Sequence, residues 1–173
     1  MCKKKYIHYG SNHFSSLIFK EITNQMYSNK PHGGLWASPV DSVYGWKDWC
    51  KGNNYKIENL DRSFEFTLAD DARVLYLNDV IAPNGKECLL LDKMLEYSKA
   101  IRLPHSEYSF TKDGYFMDEI RMDFELLHDI LKYDAIEVRL DSFFYWKLYG
   151  WDVDSLLVMN PRVIVESKGD SPC

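Results

Sequence analysis

The hydrophobic positions of the chain form alternating patterns and short runs that predict a set of β-strands. Residues 64–68 alternate apolar and polar side chains with a period of two, which is typical of a strand with one buried face, and residues 6–9 form a short predicted first strand. Short apolar runs predict five further strands, at residues 35–38, 74–77, 133–140, 156–159 and 162–166. Gly10 ends the first of these strands and Pro39 ends the strand over 35–38.

Apolar residues spaced by three and four positions predict helices between these strands. The predicted helices cover residues 14–22, a segment that starts near Asp41 or Ser42, and residues 87–97 and 117–131. The second of them would turn Val43, Trp46 and Cys50 toward the core. Strands and helices are mixed without regular alternation, so the pattern favours an α+β fold over a doubly wound sheet.

Length and composition indicate one globular domain that covers residues 1–173. The chain is 46% hydrophobic and 27% charged, which is ordinary globular usage, and its aromatic share of 15% is high. A formal net charge of −5 argues against broad electrostatic binding of nucleic acid or anionic lipid. No apolar run approaches the roughly 20 residues that span a bilayer, so no membrane partner is expected.

The four cysteines and five histidines give no recognisable framework. The cysteines have no regular spacing, which favours reduced thiols and a cytoplasmic protein over a disulfide scaffold. His8, His13 and His32 match no ligand spacing, so no metal is expected. The chain also has no Gly-rich phosphate loop, nucleophile elbow or His-Glu-x-x-His segment.

Four short segments follow one another in an informative order. They are His8-Tyr9-Gly10-Ser11 at the end of the first strand, then Gly33-Gly34-Leu35-Trp36-Ala37-Ser38, then Tyr133-Asp134-Ala135-Ile136-Glu137-Val138, and finally Asp154-Ser155-Leu156-Leu157-Val158-Met159-Asn160-Pro161. This succession resembles the ADP-ribosyltransferase superfamily. Its members open with a strand ending in His-Gly-Ser/Thr or Arg-Gly, continue with a Gly-aromatic-Ala-Ser strand, and end with an acidic residue before a Val-Phe-Asn-Pro-like strand.

The resemblance implies a pair of split antiparallel β-sheets with flanking helices, and NAD bound as a substrate in the cleft between the sheets. It assigns NAD binding to residues of the first two segments: His8, Tyr9, Gly10, Ser11, Trp36 and Ser38. An aromatic wall from Trp36 or Tyr9 would hold the nicotinamide ring, and Gly10 would let the backbone approach it. The family has His or Arg directly before the glycine, whereas Tyr9 stands there. Strand alternation places His8 on the opposite face, so either the strand is bulged and His8 serves, or Tyr9 serves through its hydroxyl.

The resemblance also requires a carboxylate that stabilises the cation-like ribose when the bond to nicotinamide breaks. The candidates, in order of preference, are Asp154, Glu137, and then Asp141 or Asp152. Asp154 lies just before the penultimate strand, and Glu137 has the residue type that the family prefers. Asp152-Val153-Asp154 has the spacing of the family's pair of glutamates but shorter side chains. This difference puts in doubt that the chain has the arginine-modifying activity of some members.

The function implied is transfer of ADP-ribose from NAD to a macromolecule, with a protein as the expected target. By analogy with small members of the superfamily, the chain would be an effector, a toxin or a phage-encoded modifier of host machinery. An enzyme that moves an RNA 2′-phosphate to NAD is a rival, although the acidic balance opposes it. A non-catalytic binding or inhibitor protein on the same fold is the rival of a different class.

Overall fold

A seven-stranded mixed sheet is the central element of the computed structural model, which describes residues 3–25, 29–80, 100–102, 120–148 and 150–166. The strands of the chain, in sequence order, are β1 (Lys5–Tyr9), β2 (Leu35–Pro39), β3 (Ser63–Leu68), β4 (Val74–Tyr76), β5 (Ile101–Arg102), β6 (Arg121–Met122), β7 (Ala135–Val138), β8 (Ser155–Val158) and β9 (Ile164–Glu166). The large sheet has the order β4-β7-β8-β2-β1-β3-β9, and β5 pairs with β6 separately. All neighbouring strands are antiparallel except β4 and β7.

Short helices connect these strands. They are α1 (Trp46–Asn53), α2 (Leu77–Val80) and α3 (Ser142–Lys147), with 3₁₀ turns at Ile57–Asn59 and Pro161–Val163 and one turn of π-helix at Leu126–Ile130. The predicted α+β class is confirmed. None of the helices in the described ranges is long and apolar enough to cross a membrane.

The middle of the sheet is buried on both faces. Every residue of β7 and β8 is buried, and the side chains of β8 alternate between two hydrophobic clusters. Leu157 belongs to the cluster that contains Phe124 and Trp151, whereas Leu156 and Val158 belong to the one built around Tyr6 and Phe66. Burial on both faces explains why the sequence shows these strands as apolar runs without alternation.

The sheet opens between β1 and β2. β1 pairs with β3 along its whole length, from Lys5 opposite Thr67 to Tyr9 opposite Ser63. With β2 it pairs only at Tyr6 and Ile7, opposite Pro39 and Ser38. Beyond Ile7 the two strands diverge, and the gap between them positions the site described below.

The predicted helix over residues 14–22 is wrong. The segment contains a turn in which the Ile18 amide donates to the Ser15 carbonyl, and Leu17 is 90% exposed. Its later backbone bonds are made to a distant part of the chain, since the Lys20 carbonyl accepts from Gly34 and Thr23 pairs with His32. These bonds replace the local ones that a helix would need.

Two other helix predictions need correction. The helix predicted from Asp41 or Ser42 begins at Trp46, and Val43 is 97% exposed instead of facing the core. The prediction over 117–131 is interrupted by β6, and its described helical residues begin only at Phe124. The predicted helix at residues 87–97 lies outside the described residues.

Candidate functional site

A cavity of about 330 Å³ lies where β1 and β2 diverge. Its lining residues are Ile7, His8, Tyr9, Lys30, Trp36, Ala37, Ser38, Trp46, Tyr55, Lys56, Asp152, Val153 and Ser155. We call this space the strand-gap cavity. Four of the predicted NAD-binding residues, His8, Tyr9, Trp36 and Ser38, are among those that line it, together with one of the four candidate carboxylates, Asp152.

Trp36 gives the strand-gap cavity a fixed aromatic surface. The residue is half-buried, and its indole meets the fully buried ring of Trp151 edge-on, with 4.7 Å between ring centroids. The Lys30 ammonium lies 5.3 Å from the centroid of the Trp36 ring, within cation–π range. Packing against Trp151 therefore holds the orientation of Trp36 without removing it from the cavity.

A second aromatic surface comes from α1 and the residues after it. The Trp46 and Trp49 rings stack with centroids 5.1 Å apart, and Tyr55 meets both rings edge-on. Ser38 positions this group, because its hydroxyl oxygen accepts the Trp46 amide proton at 2.9 Å and so caps the start of α1. The resemblance assigned Ser38 to NAD binding, whereas its hydroxyl is bonded here to the start of α1.

His8 is held in a defined protonation state beside the cavity. Its Nδ1 lies 2.7 Å from the Trp36 carbonyl oxygen, which only accepts, so Nδ1 carries the proton and Nε2 is an acceptor. Burial lowers the pKa of His8 below its usual value, and the hydrogen bond to Trp36 opposes that shift only in part. The imidazole is therefore neutral near pH 7.

Both His8 and Tyr9 line the cavity, although strand alternation predicts that they face opposite ways. No bulge causes this, since His8 stays opposite Phe64 and Tyr9 opposite Ser63 in the pairing with β3. The cavity runs along the edge of β1 that β2 leaves open, and an edge is accessible from both faces of the strand. At this edge, partial burial of Tyr9 raises the pKa of its hydroxyl above the usual value.

Gly10 and Ser11 are not among the residues that line either described cavity. Gly10 adopts φ +112° and its amide donates to the Arg62 carbonyl at 2.7 Å, which ends β1. A Cβ at Gly10 would meet no atom nearer than His8 Nε2, at 4.0 Å, so the space above it is open. The Ser11 hydroxyl donates to the His13 carbonyl within a local turn.

Charged side chains complete the strand-gap cavity. Burial lowers the pKa of Lys30, and the negative charge of Asp152 opposes that shift. Lys56 brings a second ammonium, which lies 5.1 Å from the centroid of the Tyr55 ring. The cavity thus combines flat aromatic surfaces, two cations and one carboxylate, a set suited to a ligand with an aromatic ring and a phosphate group.

Glu137 lies away from this cavity, in a buried cluster of charges. Its carboxylate is only 2% exposed and accepts hydrogen bonds from the Tyr6 hydroxyl at 2.8 Å, from the Lys4 ammonium, and from Arg139 Nε at 3.2 Å. Burial, together with the charge of Glu137, raises the pKa of Tyr6 far above its usual value. These contacts occupy both carboxylate oxygens of Glu137.

Asp154 is joined to the same cluster through Arg139. One Asp154 oxygen accepts the Leu140 amide proton at 2.8 Å, and the other lies 3.3 Å from Arg139 Nη1. The second terminal nitrogen of Arg139 is 2.6 Å from Asp41. Burial alone would lower the pKa of Arg139, but the contacts with Asp41 and Glu137 raise it instead. Arg139 therefore stays charged and binds three carboxylates.

A second and more open cavity, of about 920 Å³, adjoins the first. Its lining residues are Val43, Tyr44, Arg139, Leu140, Asp141, Tyr145, Trp146, Asp152 and Asp154. We call it the acidic groove. Asp141 also accepts the Phe144 amide proton at 2.9 Å at the start of α3. Asp152 lines both the groove and the strand-gap cavity, so it is the carboxylate that lies where the two spaces meet.

Sequence reasoning missed several of the residues that line the strand-gap cavity. Lys30 lies in the connection between the predicted helix over 14–22 and the predicted strand over 35–38, so nothing local connected it with Trp36. Trp46 was assigned to the core, and Tyr55 and Lys56 were not selected at all. The close spacing of Trp46, Trp49 and Tyr55 in the sequence is the one signal that could have indicated an aromatic surface.

The described residues contain no group of three or more His, Cys, Asp or Glu side chains that could hold a metal ion.

Comparison with known proteins gives no relative: no protein-family model, no curated protein and no solved structure matches this chain.

Proposed function

We propose that this chain is an NAD-dependent ADP-ribosyltransferase that modifies a protein target. The observation that carries the proposal is the strand-gap cavity. It lies where β1 and β2 diverge, and it gathers His8, Tyr9, Trp36 and Asp152, which come from three separate segments of the sequence. A volume of about 330 Å³ falls at the lower end of the range of roughly 300–1,000 Å³ for small-molecule sites.

The chemistry of the lining agrees with the nicotinamide and diphosphate groups of NAD. Trp36 and Tyr9 would hold the flat nicotinamide ring, and the half-buried position of Trp36 lets it pack on Trp151 while still facing the ligand. Lys30 and Lys56 would bind the diphosphate oxygens by charge-assisted hydrogen bonds. The rest of the dinucleotide would extend out of the cavity.

The reaction breaks the bond between C1′ of the ribose and the nicotinamide nitrogen. The electron pair of that bond leaves with nicotinamide, which becomes neutral, and positive charge develops on the ribose. A carboxylate at the cavity stabilises this charge. A nucleophilic atom of the target protein then bonds to C1′ and loses its proton, which gives ADP-ribosylated protein.

Asp152 is the carboxylate that the geometry favours for this task. The sequence ranks Asp154 and Glu137 ahead of it, but neither lines the strand-gap cavity. The carboxylates of Asp154 and Glu137 are both bonded to Arg139, and Glu137 is closed off from solvent. Asp152 is half-buried and lies next to Lys30.

Release of nicotinamide from labelled NAD tests this assignment. Asp152→Asn should lower the rate at least about 100-fold and change NAD affinity only a few-fold, since the carboxylate acts mainly in the transition state. Asp70→Asn is the matched control, because Asp70 is exposed at a turn and pairs with Lys3. An Asp152→Asn protein as active as the control would contradict the assignment.

A non-catalytic binding protein is the second candidate. The observation that favours it is the ion pairing of Glu137, the one glutamate among the four candidate carboxylates. A wild-type protein that binds NAD but releases no nicotinamide would support this candidate over the enzyme.

A further inference from the structure

The acidic groove has an apolar rim. Val43 is almost wholly exposed, Trp146 is 75% exposed, and Tyr44 and Tyr145 are exposed as well. The Tyr145 and Trp146 rings pack edge-on with centroids 5.3 Å apart, so they present a joint surface. Single exposed apolar side chains are normal on a protein, but several around one groove mark an interaction surface.

The floor of the groove carries excess negative charge. Three carboxylates line it, those of Asp141, Asp152 and Asp154. Arg139 is the one Lys or Arg among the described residues that line the groove, and it is bonded to Asp41 and Glu137 as well as to Asp154. Its charge is therefore shared among three acids, and the groove as a whole favours a cation.

We propose that the acidic groove is the docking surface for a segment of the target protein that presents a cationic side chain next to apolar ones. This inference rests on the proposed function only in calling the partner a target. The docking itself does not require NAD.

The chemistry of the groove fits a polypeptide of this kind. Arginine and lysine side chains interact favourably with both aromatic faces and carboxylates, and the apolar neighbours of the segment would cover Val43 and Trp146. Phosphate groups of a nucleic acid or an anionic lipid would be repelled by the three carboxylates. Because Asp152 also lines the strand-gap cavity, a docked segment would lie beside the carboxylate proposed to act on NAD.

Fluorescence anisotropy with labelled synthetic peptides tests the chemistry of the partner. A peptide of alternating arginine and leucine should bind at least about tenfold more tightly than one with glutamate in place of arginine, and than one with serine in place of leucine. Equal affinity for the arginine–leucine peptide and for the peptide with serine in place of leucine would mean that the peptides bind only through the acidic net charge of the protein. That result would overturn the proposal.

Two variants test the location. Trp146→Ala should weaken binding of the arginine–leucine peptide at least about fivefold, as expected for an aromatic residue central to an interface. Leu17→Ala is the matched control, since Leu17 is an exposed apolar residue outside the groove lining, and it should leave affinity unchanged. If Trp146→Ala lowers the melting temperature, Val43→Ser serves in its place. Equal affinities in the groove variant and the control would overturn the proposal.

A parallel titration with NAD separates this proposal from the proposed function. Trp146→Ala should weaken binding of the peptide and leave the affinity for NAD unchanged, whereas Trp36→Ala should weaken binding of NAD and leave the affinity for the peptide unchanged. Normal NAD binding without the peptide selectivity would overturn only the docking surface. Peptide selectivity without NAD binding would support the docking surface and overturn only the proposed enzyme.

Discussion

Arg139 binds the carboxylates of Asp154 and Glu137, the two candidates that the sequence ranks highest. It contacts Glu137 and Asp154 at 3.2 and 3.3 Å, and it reaches Asp41 at the surface. A carboxylate in such contacts stabilises the fold by compensating a partly buried cation, and it is less available to a substrate. Residue type pointed to Glu137, but the environment of the side chain, which the sequence does not give, points to a structural role.

Replacing Glu137 should therefore destabilise the protein. Glu137→Gln removes the charge that faces Lys4 and Arg139, and the free energy of unfolding should fall by at least about 2 kcal/mol. Glu65→Gln is the matched control, because the exposed pair between Glu65 and Lys5 should contribute no more than about 1 kcal/mol. Urea denaturation measures both values. Equal losses in the two variants would show that the charge of Glu137 in the buried cluster contributes no more to stability than the exposed pair of Glu65 and Lys5.

Individual strands were the elements that the sequence predicted best. β1, β2, β3, β7 and β8 all lie within or beside their predicted ranges. Their patterns are local, because alternation or a short apolar run bounded by Gly, Pro or Asn specifies a strand without knowledge of its partner. The order of the strands in the sheet is not local, and neither is the parallel pairing of β4 with β7.

The failed helix over residues 14–22 illustrates the same limit. Phe14, Ile18 and Phe19 do pack against a hydrophobic cluster, so their apolar character was a correct signal of burial. The Lys20 carbonyl of the segment, however, accepts the amide proton of Gly34, and Thr23, directly after the segment, pairs with His32. The spacing of apolar residues cannot distinguish a helix from a turn whose backbone groups form hydrogen bonds with distant parts of the chain.

Alanine substitutions at two glycines test the backbone conformation and packing just before β2 and within α1. Gly34 adopts φ +68° just before β2, and a Cβ there would lie 2.5 Å from the Leu157 side chain and 2.9 Å from the Val158 carbonyl oxygen. Gly34→Ala should lower stability by more than about 2 kcal/mol. Gly52 lies within α1, where a Cβ would meet only the Tyr44 hydroxyl at 3.7 Å.

Gly52→Ala should consequently raise stability by about 0.5–1 kcal/mol, because alanine restricts the unfolded chain and favours a helix. Thermal or urea unfolding of the two glycine variants gives the comparison. A stabilised Gly34→Ala protein would contradict the close approach of the Gly34 turn to β8.

In the whole molecule, the candidate site depends on where β1 and β2 diverge within the sheet. The sequence placed His8, Tyr9, Trp36, Ser38 and Asp152 among the site residues through the order of segments alone, and all five line one cavity. It could not place Lys30, Trp46 or Tyr55 there, because the path of the connecting segments brings them to the gap between β1 and β2. Nor could it tell which of the four candidate carboxylates lines the cavity, since burial and ion pairing distinguish them.

Calorimetric titration with NAD measures whether the strand-gap cavity binds the dinucleotide. The wild-type protein should bind NAD with a dissociation constant between about 1 μM and 1 mM. Trp36→Ala should weaken binding at least about tenfold through loss of the ring contact, with Trp36→Phe as an intermediate variant that keeps the packing on Trp151. Trp146→Ala should change the affinity less than about twofold, because Trp146 is not among the residues that line the strand-gap cavity. No measurable binding of NAD by the wild type, or equal losses in Trp36→Ala and Trp146→Ala, would contradict the account.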